Sequence, residues 1–390
     1  MTIRSEPEQR PKIAIIGAGP GGLTLARLLH LANIPFTIFE SDKSREARRV
    51  TGGVLDLHPQ SGQRAIREAG LWGIYQQHAS YDAEALIITD HHNQVFYNTN
   101  GASRGRPEID RPVLRDILLD SIPERHVRWA HRLQRVDLDG TLHFPHGTET
   151  GFDLVVGADG AWSKVRPTLG FIPPFYSGVV CLELRISRPS EVDPAMDRML
   201  GPGSYLAYGG DDDMALHTQR QGDGSLRTYA LLRRPESWLR DCGVVDLADR
   251  EAVTALLRRE YAHWHPDLTR LISRCNEPVV NRPLYMLPVG HRWPHRSHLT
   301  LLGDAAHLMT PFAGEGVNTA MCDALSLARA IIHHYYYSST LDEEVRAYEE
   351  ELAARATRVQ QVTWEELLGM FEPNAGQRLA ERYDDLVAAG

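Results

Sequence analysis

Cysteine is scarce in this chain: Cys181, Cys242, Cys275 and Cys322 are scattered through 390 residues without a CxxC spacing. Neither a disulfide framework nor a thiolate metal cage follows from that pattern, and a reduced, cytoplasmic protein is expected. No run approaches the roughly 20 apolar residues that a membrane helix needs. The opening MTIRSEPEQRPK lacks the apolar stretch of a signal peptide. Dense lysine and arginine runs are missing as well. With 42 basic against 51 acidic residues and a net charge of −9, neither nucleic acid nor a membrane is an expected partner. The 18 histidines contain no HExxH. Adjacent ones, such as His91 with His92, point to different faces of any regular element, so no metal site is expected.

Two glycine-rich segments carry most of the information. Residues 12–22, KIAIIGAGPGG, hold an apolar strand, a turn and the start of a helix, with Gly17, Gly19 and Gly22 filling G-x-G-x-x-G. Glycine there permits the turn, lets the backbone approach a pyrophosphate and allows close helix–strand packing. The next strand, PFTIFE, ends in Glu40. That acid lies roughly 20 residues past the loop, the distance at which a carboxylate meets an adenosine ribose. The segment predicts a dinucleotide, and by itself leaves NAD open beside FAD.

Residues 301–318, LLGDAAHLMTPFAGEGVN, repeat the grammar: a strand, Asp304 at its end, a loop and a glycine-opened helix. The unpaired N–H groups and positive dipole end of that helix suit an electron-rich carbonyl, such as the pyrimidine edge of a reduced flavin. A further G-A-D-G stands at residues 157–160, after the strand FDLVV.

In this order, the three segments resemble the class A flavin monooxygenases, aromatic hydroxylases of the para-hydroxybenzoate hydroxylase type. The stretches REARRVTGGVLDLHPQSGQRAIREAG and RPEIDRPVLRDILLDSI, with GDAAHLMTPFAGEGVN, are similar to the TetX-type tetracycline-inactivating monooxygenases. The resemblance implies FAD as cofactor, with NADPH as a transient reductant. It implies insertion of one atom of O2 into a polycyclic, tetracycline-like substrate through a flavin C4a-hydroperoxide. The flavin carries that chemistry, so no catalytic side chain is expected. Carried over residue by residue, Glu40 binds the ribose, Asp56 lies near the flavin, Arg111 contacts FAD and Asp304 holds the ribitol chain. Gly314, Gly316 and Val317 face the pyrimidine, Pro311 sits beside the reactive carbon, and Arg48 meets NADPH. Without a cysteine or histidine attachment motif, the FAD is expected to be non-covalent.

The implied fold class is α/β: a Rossmann-like FAD-binding domain interleaved with a mixed β-sheet substrate domain, and a long C-terminal helix. Residues 11–80, 105–177 and 283–335 are read as the FAD domain, 81–104 and 178–282 as the substrate domain, and 343–372 as a bridging helix. Residues 108–122 are read as helix. On the substrate side the chain departs from the family. Glu183 stands where the family has glutamine, and Ser204 and Arg227 fall where it has arginine and histidine. Phe312 and Phe371 are read either as core or as substrate walls, and His307 as an acid–base group or a structural histidine. A monomer is expected. The rival readings are a hydroxylase of simple phenols or other aromatic natural products, a flavin oxidase that needs no NADPH, and a non-catalytic flavin-binding module.

Overall fold

The computed structural model describes residues 10–48, 53–99, 102–244, 246–337 and 339–388. It divides into two compact units. The first comprises Met1–Ala79, Arg111–Phe175 and Tyr285–Trp364, the second Ser80–Asp110, Tyr176–Leu284 and Glu365–Gly390.

The first unit is built on a five-stranded parallel sheet in the order Leu299–Leu301, Leu154–Gly157, Ile13–Ile16, Phe36–Phe39, Val127–Arg128. Its strands are continuous apolar runs, IAII and LVVG being buried at every position. Such runs belong to parallel strands covered on both faces. The helix Pro20–Leu31 packs against the long helix Gly316–Tyr336. Their approach is close: a Cβ on Gly21 would stand 2.7 Å from Leu302 Cδ1 and 3.2 Å from the Ala320 carbonyl oxygen. The register sets Ile16 beside Phe39 and Gly157, and Gly157 beside Leu301. Four chain segments therefore leave the sheet at the same carboxyl edge, where open α/β sheets bind ligands.

The second unit carries a seven-stranded sheet, antiparallel except where Ser204–Tyr208 runs parallel to Leu86–Asp90. Alternation along Val179–Ile186 sends Val180, Leu182, Leu184 and Ile186 into one apolar core with Leu256, Leu257 and Leu271 of two covering helices. Cys181, Glu183 and Arg185 point to the other face.

One local expectation fails. Residues 108–110 form a strand, and the helix begins at Arg111 (Arg111–Asp120). Pro112 explains the start, because proline is favoured in a first helical turn whose N–H groups lack partners anyway. The C-terminal region holds two helices, Leu341–Gly369 and Ala375–Ala388. Pro373 interrupts the pattern between them, and Asn374 takes the left-handed conformation at φ 60°.

Candidate active site

At the carboxyl edge of the parallel sheet, the first loop is shaped by what surrounds it. Gly17 has φ +110°, and a Cβ there would lie 2.4 Å from the Ala158 carbonyl oxygen of the neighbouring strand end. A Cβ on Gly22 would lie 2.3 Å from the Gly17 oxygen, whereas one on Gly19 would meet no atom of a described residue within 4 Å. Gly17 and Gly22 thus answer to the protein itself, and Gly19 borders open space. The first helical hydrogen bond runs from Leu23 N to Gly19 O at 2.9 Å, and no side chain caps this helix start. The N–H groups of Gly21 and Gly22 precede it and have no helical acceptor.

Glu40 closes the loop from the next strand. Its carboxylate accepts hydrogen bonds from Ala18 N at 2.6 Å, Asp42 N at 2.8 Å and the Ser41 hydroxyl at 3.0 Å. An ionised carboxylate offers about four lone-pair sites, so one remains for an outside donor. Arg115 braces the same loop, with Nε donating to Ala18 O at 3.2 Å and a guanidinium nitrogen 3.0 Å from Asp42 Oδ2.

Asp159, in the G-A-D-G loop, accepts from Lys164 N at 2.6 Å through one oxygen. The other is buried with no hydrogen-bond partner among the described residues, and burial raises this carboxyl above its usual range. Asp304 opens the short helix Asp304–His307 after Gly303. Solvent reaches its side chain, and no described residue donates a hydrogen bond to its carboxylate. Crowding by protein atoms raises its carboxyl pKa, against the charges of His307, Arg111 and Arg166. His307 is a brace. Its Nε2 donates to the fully buried Asp323 at 2.5 Å, and Arg355 donates to the same carboxylate at 2.8 Å.

The glycine-opened helix completes the site. Gly314 is left-handed at φ +67°, and a Cβ on Gly316 would meet nothing within 4 Å. Thr319 N is the first to reach a helical carbonyl, Glu315 O at 2.8 Å, so the N–H groups of Gly316, Val317 and Asn318 point outward as donors. Pro311 is exposed and Phe312 half-buried. Asn318, fully buried, ties this helix to the Asp56 strand. Its Oδ1 accepts from His58 N at 2.8 Å and Gly62 N at 3.3 Å, and its Nδ2 donates to Asp56 O at 2.9 Å.

Buried, unused acceptors beside outward-facing N–H groups and glycines facing open space are what a dinucleotide needs. The residues present fit FAD. Arg111 opens its helix and acts electrostatically on Asp304. Arg48 ends a short 3-10 turn, and its side chain lies outside the described residues.

On the second unit's sheet, Ser204, Gln219, Arg227 and Arg185 stand in one row across four strands. Glu183 and Arg227, which the sequence offers as separate substrate contacts, pair with each other at 3.0 Å, both side chains 3% exposed. Arg282 also pairs with Glu183. Ser204 borders a cavity of about 380 Å³ with Tyr81, Glu84 and Ile87. Phe371 is buried, with the Arg233 guanidinium 4.6 Å from its ring centre. Among the described residues, no group of three or more His, Cys, Asp or Glu is placed to hold a metal, and no helix is long and apolar enough to cross a membrane.

Asn318, His58, Glu315 and Arg115 escaped the sequence reading. The signal available was the polar pair Asn318 and Thr319 in the helix start GVNTAM.

The sequence profile of the FAD binding domain family matches residues 10–179 and 292–363. The monooxygenase asqM of Emericella nidulans is 33% identical, over 95% of this chain and 97% of that one. Among solved structures, Klebsiella pneumoniae HpxO complexed with FAD and uric acid superposes with a TM-score of 0.76 at 22% identity, over 95% of this chain and 92% of that one. The tetracycline destructase Tet(51) does so with 0.68 at 17%, over 97% and 96%. At such identities the structural likeness shows the fold.

Proposed function

This chain belongs to the FAD binding domain family and is an FAD-dependent monooxygenase, and we propose that it uses NADPH to oxygenate a polycyclic, tetracycline-like substrate. Its fold is that of the para-hydroxybenzoate hydroxylase-like enzymes. When bound, FAD supplies the activation of O2 and the transfer of one oxygen atom.

The chain's own residues then have these tasks. The N–H groups at the start of Pro20–Leu31 receive the pyrophosphate, with Gly19 leaving it room. Glu40 takes a ribose hydroxyl with its remaining lone pair, and Asp304 accepts from the ribitol chain. Asp56 and Arg111 border the cofactor, and Pro311 stands beside the reacting centre. The outward N–H groups of Gly316 and Val317, after Gly314, stabilise negative charge on the pyrimidine edge without reorganising. The observation that carries this reading is Asp304: a solvent-reached carboxylate just past the strand Leu299–Leu301, given no hydrogen bond by any described residue.

NADPH as a visitor is supported by the single strand–G-x-G-x-x-G–helix unit in the sequence, with Arg48 proposed to meet it. The polycyclic substrate is supported by the segment resemblance. Ser204, Phe312 and Phe371 are its proposed contacts. The pairing of Glu183 with Arg227 suggests that those two charges act as one unit. Hydroxylation of simple phenols is the second reading. It is favoured by the Nε atoms of Arg185 and Arg227, both buried without a hydrogen-bond partner among the described residues, which leave two N–H donors for the oxygen of a small phenol.

The test is NADPH oxidation with tetracyclines, anthraquinones and simple phenols, products being identified by mass spectrometry. Oxygenated fused-ring products are expected. Turnover confined to simple phenols would refute the polycyclic reading. Flavin that NADPH cannot bleach would refute the role of that reductant.

A further inference from the structure

His58 is almost fully enclosed, with its side chain 8% exposed. Both ring nitrogens face carboxylates: Nε2 lies 2.9 Å from Asp56 Oδ2, and Nδ1 lies 3.1 Å from Glu315 Oε1. The partners come from different places in the chain. Asp56 ends the strand Val54–Asp56, and Glu315 immediately precedes the helix Gly316–Tyr336. The helix Gly62–Glu68 contributes the neutral Gln63, whose amide donates to Leu57 O at 2.7 Å. From the long helix, neutral Asn318 accepts the His58 backbone N–H.

We propose that His58 is a positioning residue for FAD, its imidazolium latching the Asp56 strand end to the glycine-opened start of the long helix. The inference rests on the reading that Asp56 and residues 314–317 border the flavin. Asp56 is already close to that turn: a Cβ on Gly314 would lie 3.5 Å from its Oδ1.

Two carboxylates can only accept, so the latch needs a proton on both ring nitrogens. A neutral imidazole would turn a lone pair toward one of them. Burial alone would lower the histidine's pKa, but the hydrogen bonds to Asp56 and Glu315 outweigh it and push the value from 6.5 up to about 9. The histidine is therefore charged at neutral pH. Its contribution is complete below the ordinary value of 6.5 and is lost as pH rises through about 9.

The experiment titrates apoprotein with FAD, following flavin fluorescence from neutral pH to beyond 9, with folding checked by circular dichroism. In the wild type, the dissociation constant should hold steady near neutrality and rise by about tenfold as His58 deprotonates. His58→Gln should bind FAD more weakly at neutral pH, without that rise. Glu315→Gln should keep the rise but move its midpoint to lower pH, because one charged acceptor is gone. Alkaline ionisation of the flavin itself appears equally in all three proteins and drops out of the comparison. A wild-type pH profile surviving in His58→Gln would overturn the proposal. If His58→Gln does not fold, an unmoved midpoint in Glu315→Gln would overturn it. Apoprotein that takes up no FAD at any pH would instead bring down the cofactor reading beneath it.

Discussion

Gly19→Val should fold and melt close to the wild type, yet bind FAD roughly a hundredfold more weakly or worse, about 2.7 kcal/mol. The backbone at Gly19, φ −80° and ψ 175°, is open to any residue, and its Cβ direction is empty of described residues within 4 Å. Replacing glycine at a helix N-cap by an apolar residue costs about 1 kcal/mol. The methyl groups would fill the space through which a pyrophosphate approaches the free N–H groups of Gly21 and Gly22. Gly22→Val is the control in the opposite sense. Its Cβ would collide with the Gly17 oxygen at 2.3 Å, so folding itself should suffer. Thermal melts of the two apoproteins and FAD titration of Gly19→Val check the pair. Wild-type FAD affinity in Gly19→Val would place the pyrophosphate elsewhere.

Asp304→Ala should weaken FAD binding by roughly ten- to a hundredfold, since a hydrogen bond to a charged group contributes about 1.5–3 kcal/mol. Stability should move the other way or not at all. The Asp304 carboxyl pKa is raised, with crowding by surrounding protein atoms the first cause, so its ionised form costs the apoprotein stability at pH above the unfolded value. The variant should therefore melt no lower than wild type when both lack flavin. Unchanged affinity would remove Asp304 from the site. A sharply lower melting temperature would make it a structural residue.

What was legible in the sequence follows from distance along the chain. The turn through Gly17, Gly19 and Gly22, the acid Glu40 and the strand-end Asp304 sit in short segments whose spacing encodes their geometry. By contrast, Asn318 reaches Asp56 across 262 positions and His58 across 260. No local pattern marks such partners, and they appear only once two glycine segments are folded together. Glu183 and Arg227 teach the same lesson from the other side. Read singly, each is a charge awaiting a substrate; on adjacent strands they neutralise one another. The strand at residues 108–110 was missed because three residues before a helix leave little periodicity to read.

The origin of the inserted oxygen tests monooxygenation most directly. Purified protein reconstituted with FAD, supplied with NADPH and an accepted fused-ring substrate, should be run under heavy-isotope O2 in ordinary water. Mass spectrometry of the product should show one labelled oxygen atom per turnover. Product labelled from the water, or a dehydrogenated product with all the label in hydrogen peroxide, would contradict the monooxygenase reading.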